Sequence, residues 1–136
     1  MKDWVFGSVK LNSAAGDVGL LILRAFAGVS LAMTHGLGKL PPSAQFQATV
    51  ENLGLPAQAA WLSGLAETVG GFALAGGLAT RLAALVITGN MSVAAFLQHV
   101  NDPFARKELP FLFLAVAIMF LLMGAGRFAL DRLIKR

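Results

Sequence analysis

The sequence predicts an all-α integral membrane fold, a four-helix bundle with a short amphipathic surface helix between helices 1 and 2. Three observations predict it. Of 136 residues, 57% are hydrophobic and only 13% are charged, about half the share of roughly a quarter usual in a soluble domain. The mean hydropathy is +0.71. The apolar residues also gather into four runs, at 18–37, 57–79, 82–98 and 109–124, each near the ~20 residues that cross a ~30 Å hydrocarbon core. Helices are the form such runs must take, because an open strand in lipid leaves its backbone groups unpaired.

The first run carries Lys2 and Lys10 ahead of it, in the manner of a secretory leader. Arg24 interrupts it, however, and no small-residue cleavage motif follows cleanly, so the run is expected to stay as helix one. The loop at 40–56 opens with Pro41-Pro42 and offers Ser43 as an N-cap. Phe46, Val50 and Leu53 then fall at i, i+4 and i+7 before Gly54, which reads as a short helix on the membrane surface or over the bundle mouth. Thr80 and Arg81 alone separate the second and third runs, predicting a tight antiparallel hairpin. Asp102-Pro103 marks the next turn, and Pro110 suits the first turn of the fourth helix. The length has room for one domain, spanning 1–136.

Basic residues set the orientation. Lys2, Lys10, Arg81, Arg127, Arg132, Lys135 and Arg136 fall on one side, and Lys39, Arg106 and Lys107 on the other. The imbalance predicts both termini in the cytoplasm, in a cell (inner or plasma) membrane. The net charge of +4 is used up by this asymmetry, and no nucleic-acid partner is expected. With no cysteine, disulfides, thiol chemistry, iron–sulfur clusters and cysteine zinc sites are excluded. There is no tyrosine, and His35 and His99 are the two histidines. Two imidazoles, even with Glu108 nearby, make a thin ligand set, so no metal site is expected. In an α-helix, nine residues also turn His99 about 180° away from Asn90.

Ionisable groups inside a bilayer are costly and point to function. Arg24, Gly28, His35 and Lys39 follow one another in steps of 4, 7 and 4, forming one stripe of helix one. Glu67 on helix two is flanked by Gly64 and Gly71, with Ala60 and Ala75 extending that face. Small residues at this spacing let helices approach closely, which turns Glu67 into the bundle. Asn90 sits near the middle of helix three. The candidate ligand-binding residues are therefore Glu67, Arg24, His35, Lys39 and Asn90. Glu67 either handles protons or hydrogen-bonds a polar headgroup such as a quinone carbonyl, or else it pairs with Arg24 or Asn90 to fix helix register. By helical rise Arg24 lies roughly 9 Å from the level of Glu67, a long reach for direct pairing.

The order of these motifs resembles the DoxX family of small four-helix membrane proteins over nearly the whole chain after Gly19. The residues that carry the resemblance are Arg24-x3-Gly28, His35-Gly36-x2-Lys39, Gly54-Leu55-Pro56, Glu67-x2-Gly70-Gly71 and Gly77-x2-Thr80-Arg81. Further on come Met91, Ala94, Glu108, Gly124-Ala125-Gly126-Arg127 and Leu130-Asp131. Ala125 and Ala129 stand where the family often has proline and serine. The resemblance implies an accessory subunit of a quinone-linked membrane redox system, with quinone or quinol as the bound cofactor and none attached covalently. With no redox centre in the chain, a redox partner subunit is implied besides the lipid bilayer, and self-association into a homo-oligomer stays open. Two alternatives stand beside it: a structural or assembly subunit without catalysis, and a small proton-coupled transporter. Four-helix transporters of that size place their membrane carboxylate in the first helix; here it is Glu67, in the second.

Overall fold

A computed structural model describes residues 1–134; Lys135 and Arg136, both used in the orientation argument, lie outside the described residues. The fold is helical, with no strand among the described residues. A short α1 (Lys2–Val5) precedes α2 (Ala14–Ser30), which runs on without a break as a π-helical stretch, Leu31–Gly36, and a 3-10 turn, Leu37–Lys39. The small helix α3 (Ala44–Asn52) follows, then α4 (Ala59–Gly76) and α5 (Thr80–Val93). A second π-helical stretch, Ala94–Gln98, extends α5, and α6 (Phe104–Met123) and α7 (Asp131–Ile134) complete the order.

Local signals account for most of the boundaries. Ser13 and Ser43 cap α2 and α3, their hydroxyls accepting from the backbone N–H of Gly16 and Phe46. Gly54 ends the α3 region with φ +80°, the left-handed conformation that glycine adopts without a Cβ penalty. Three boundaries differ from the sequence expectation. The α4–α5 turn is residues 77–79, earlier than expected, because Gly77 takes the left-handed C-terminal position (φ +69°, ψ 41°). Thr80 and Arg81 consequently belong to the first turn of α5. Helix α6 begins at Phe104, after the extended Pro103, and Pro110 lies inside it, beyond the first turn. Finally, α2 begins at Ala14, four residues ahead of the apolar run.

Packing is sequential: α2 and its π extension lie on α4, α4 on α5, and α5 on α6. One core joins the four, with Leu20 and Leu31 from the α2 stretch, Leu74 from α4, Ile87 and Met91 from α5, and Leu114 and Phe120 from α6. Large apolar side chains are not confined to that core: many are exposed. Alanines and glycines fill much of the interior, including Ala60, Ala83, Ala84 and Ala117, while Phe26 is 74% and Leu62 68% exposed. Close backbone approach is the reason: a Cβ on Gly28 would meet the Gly71 carbonyl and the Ala75 N–H. Helices without a hydrophobic drive between them pack in this way, through small residues, leaving large apolar side chains for lipid.

By length and apolar composition, two of the long stretches suffice to cross a membrane, Ala14–Lys39 and Thr80–Gln98. The other two are α4, diluted by Glu67 and its glycines, and α6, which opens on Arg106, Lys107 and Glu108.

The end of the bundle away from Lys39 is closed by residues 124–131. Arg24 is 1% exposed and donates to the carbonyls of Ala75, Ala125 (2.7 Å) and Phe128 (2.6 Å). Asp131, equally buried, accepts from the backbone N–H groups of Ala79 (2.5 Å) and Thr80 (3.0 Å) and so caps α5 across 51 residues of sequence. Asp17 accepts from the Arg127 N–H. This clasp gives the C-terminal Gly-Ala-Gly-Arg and Leu-Asp motifs a structural role. Replacing Asp131 with alanine strips two helix N–H groups of their acceptor. The expected loss is about 2 kcal/mol, seen as a lower midpoint for thermal loss of helicity in detergent.

Candidate functional site

The polar groups gather at the opposite end, where the α2 and α5 stretches finish and α6 begins. Glu67 is 2% exposed, held at mid-helix on the face of α4 that its small neighbours press against α2. Its Oε1 accepts from Lys39 Nζ at 2.7 Å and from Asn90 Nδ2 at 2.9 Å, so one oxygen ties three helices together. Its Oε2 is buried and has no hydrogen-bond partner. The Lys39 ammonium also lies 5.4 Å from the centre of the Phe46 ring on α3, a cation–π contact.

Two cavities meet at this carboxylate. The first, about 240 Å³, is mostly apolar and lies between α3, α4 and α5; Phe46, Val50, Leu62, Ala66 and Val86 line it, with Glu67, Lys39 and Asn90 at its polar end. The second, about 170 Å³, is lined by His35, Lys39, Glu67, Gln98, His99 and Arg106, with Pro110 and Phe113 among its apolar walls. Glu67 and Lys39 border both.

The helices bordering these spaces depart from α geometry at the same level. Leu37 N–H bonds to the Ala32 carbonyl, and His99 N–H to that of Ala94, each an i→i+5 bond. Such π turns are uncommon and frequent at functional sites. They also change where side chains fall. An α-helix would turn His99 about 180° from Asn90, but the π stretch widens the turn and the helix stops at His99 (φ −103°, ψ 21°). His99 thus comes round to the cavity that Glu67 borders. Its Nδ1 lies 2.7 Å from Asp102 Oδ2. The hydrogen bond with His99 holds the Asp102 carboxyl below the usual carboxylate range, with Arg106 adding to the effect. A carboxylate depressed in this way favours the folded form at neutral pH and loses that contribution as the pH falls through its folded value.

Four of the candidate residues, His35, Lys39, Glu67 and Asn90, border these two cavities. Arg24 is not brought to them: it serves the clasp at the far end, with no Glu67–Arg24 pair, while the Glu67–Asn90 pair is present. Lys39 as the ion-pair partner of Glu67 was not apparent from the sequence, because the residue stands at the very end of its helix, where a lysine ordinarily reaches for headgroups. Phe46 was legible as part of the amphipathic face of α3. Gln98 carried no signal, since its place depends on the π turn.

Residues 19–100 match the DoxX family. The inner membrane protein YqjF of Escherichia coli (strain K12) is 35% identical over 124 residues, covering 88% of this chain and 95% of its own. A protein of Bacillus subtilis (strain 168), CatD, named provisionally as an oxidoreductase, is 29% identical over 119 residues, covering 85% of this chain and 86% of its own. No solved structure gives a significant match.

Proposed function

The chain belongs to the DoxX family of membrane proteins, and on that premise we propose that it binds a quinone or quinol as an accessory subunit of a membrane redox system. In this reading α2, α4, α5 and α6 form a four-helix bundle across the bilayer, with both termini cytoplasmic and α3 on the outer surface. The observation that carries the reading is Glu67 Oε2, a buried acceptor without a donor. Leaving such an atom unmet costs about 1–3 kcal/mol, and a ligand hydroxyl would offset that cost. A quinol headgroup supplies the hydroxyl and a quinone the carbonyl that Lys39 or Asn90 can address. The hydrocarbon tail matches the apolar walls of the first cavity. The bound group supplies two-electron chemistry; the chain supplies position and an acceptor for a proton. With neither cysteine nor tyrosine in the chain, electron transfer falls to a redox partner subunit. The name of the Bacillus relative supports the same direction.

The test is binding of a short-chain quinone analogue to purified protein in detergent. Wild type is expected to bind saturably. Glu67→Gln should weaken binding at least about tenfold, the equivalent of ~1.4 kcal/mol, because the amide loses the charge that holds Lys39 in place. Absence of saturable binding by folded wild type would overturn the reading.

A second reading, a structural or assembly subunit, is favoured by the way Lys39, Glu67 and Asn90 join three helices. It makes a different prediction for the same variant: protein abundance would fall in step with any loss of respiration.

A further inference from the structure

We infer that His99, oriented by Asp102, relays protons between the Glu67 carboxylate and the aqueous outer face through the second cavity. The inference deepens the proposed reading of Glu67 and rests on it for the need to move protons, but it requires no ligand to be bound. Glu67 borders a mostly apolar cavity on one side and, on the other, one lined by polar and apolar residues in equal number. A tail-bearing ligand fits the first; a proton needs the second. At about 170 Å³, this second cavity has room for several waters at ~30 Å³ each, and its polar lining residues give them hydrogen-bond partners.

The groups that face this space differ in what they can do. Lys39, from the α2 stretch, is engaged with Glu67. Arg106, from α6, is a donor with no lone pair to accept a proton. His35, also from the α2 stretch, sets its ring edgewise against Phe113 at 5.9 Å between centroids, with no carboxylate to fix its tautomer among the described residues. His99 is the group with the required chemistry. Asp102 takes its Nδ1–H at 2.7 Å, which leaves Nε2 as the basic nitrogen. Both side chains are partly exposed, 28% and 31%, so the pair stands at the boundary between cavity and solvent.

The transfer changes no bond except those to hydrogen. A proton leaves the Glu67 carboxyl, passes along the cavity waters and arrives on Nε2. The imidazolium so formed is balanced by the Asp102 carboxylate. Nε2 then releases a proton to bulk water, and the neutral ring is restored with Nδ1–H still on Asp102. Uptake is the same path reversed. In this scheme Asp102 is a positioning residue.

Glu67 can be watched alone. The other glutamates are Glu51 and Glu108, neither of which lines the second cavity. Carbon-13 glutamate incorporated into a Glu51→Gln, Glu108→Gln background therefore labels Glu67 only. Isotope-edited infrared spectroscopy after a rapid pH jump, without quinone, follows its carboxyl band. In that background the band should track the jump. His99→Gln should slow the response at least about tenfold, in line with the loss of a proton-transfer group, while the final amplitude is kept. Millimolar imidazole should restore the rate. Asp102→Asn should slow it as well, because the ring is then free to take the wrong tautomer, and should add nothing on top of His99→Gln. If His99→Gln does not fold, Asp102→Asn with and without imidazole carries the test. An unchanged rate in either variant, a slowed rate that imidazole does not restore, or a Glu67 band that answers no jump would each overturn the relay. All three outcomes are independent of whether a quinone analogue binds.

Discussion

Replacing Gly28 with valine is expected to lower the yield of folded protein sharply. A Cβ at this position would meet the backbone carbonyl of Gly71 and the N–H of Ala75, and one on Gly71 would meet the carbonyl of Gly28 in return. Neither obstacle is a flexible side chain, so α2 and α4 would have to separate. Overpacking a well-fitted interior costs about 1–3 kcal/mol and sometimes more; against rigid backbone on both sides the upper end or beyond is expected. Against a total stability of about 5–15 kcal/mol, a loss of that size is a substantial share. The measurement is the yield of monodisperse protein in detergent, by size-exclusion chromatography. Gly19 and Gly89 supply the control, since a Cβ on either meets nothing within 4 Å. Alanine at those helical positions should be neutral or stabilise by up to about 1 kcal/mol.

Replacing Arg24 with methionine is expected to be the next most damaging change. Methionine fills much of the volume but leaves the carbonyls of Ala75, Ala125 and Phe128 without their donor. Hydrogen bonds to a charged group contribute about 1.5–3 kcal/mol each, and three are lost together. The loss is directional: it frees residues 125–131 while the α2–α4 contact at Gly28 persists. Limited trypsin digestion should therefore cut after Arg127 many-fold faster in the variant, before the rest of the protein is lost. Arg24→Lys should fall between the two, since an ammonium lacks the planar fork that addresses three carbonyls at once.

The sequence made some of this visible and could not have shown the rest. The surface helix was legible because Ser43, the spacing of Phe46, Val50 and Leu53, and Gly54 all act locally. The inward aim of Glu67 was legible because Gly64 and Gly71 mark the same face. Arg24 was visible as a buried cation, but its partners are backbone carbonyls, which every residue has and no pattern marks. The α4–α5 turn was displaced because Gly77, inside an apolar run, looks like a packing glycine until its left-handed conformation is seen. The two π stretches have no sequence signature. Since they decide where His99 and Gln98 point, the second cavity could not be read from an assumed 100° per residue.

The clasp has a consequence for the order in which the protein is made. Residues 125–131 follow α2, α4 and α5 in the chain, so synthesis makes them after those helices. Until those residues arrive, the Arg24 guanidinium lacks two of its three carbonyl acceptors, and the first N–H groups of α5 lack their cap. A chain halted after α5 therefore shows lipid an exposed cation and an open helix end at one place. The finished chain hides both. The same residues that close the fold thus decide whether the Arg24 charge and the α5 N-terminus are satisfied.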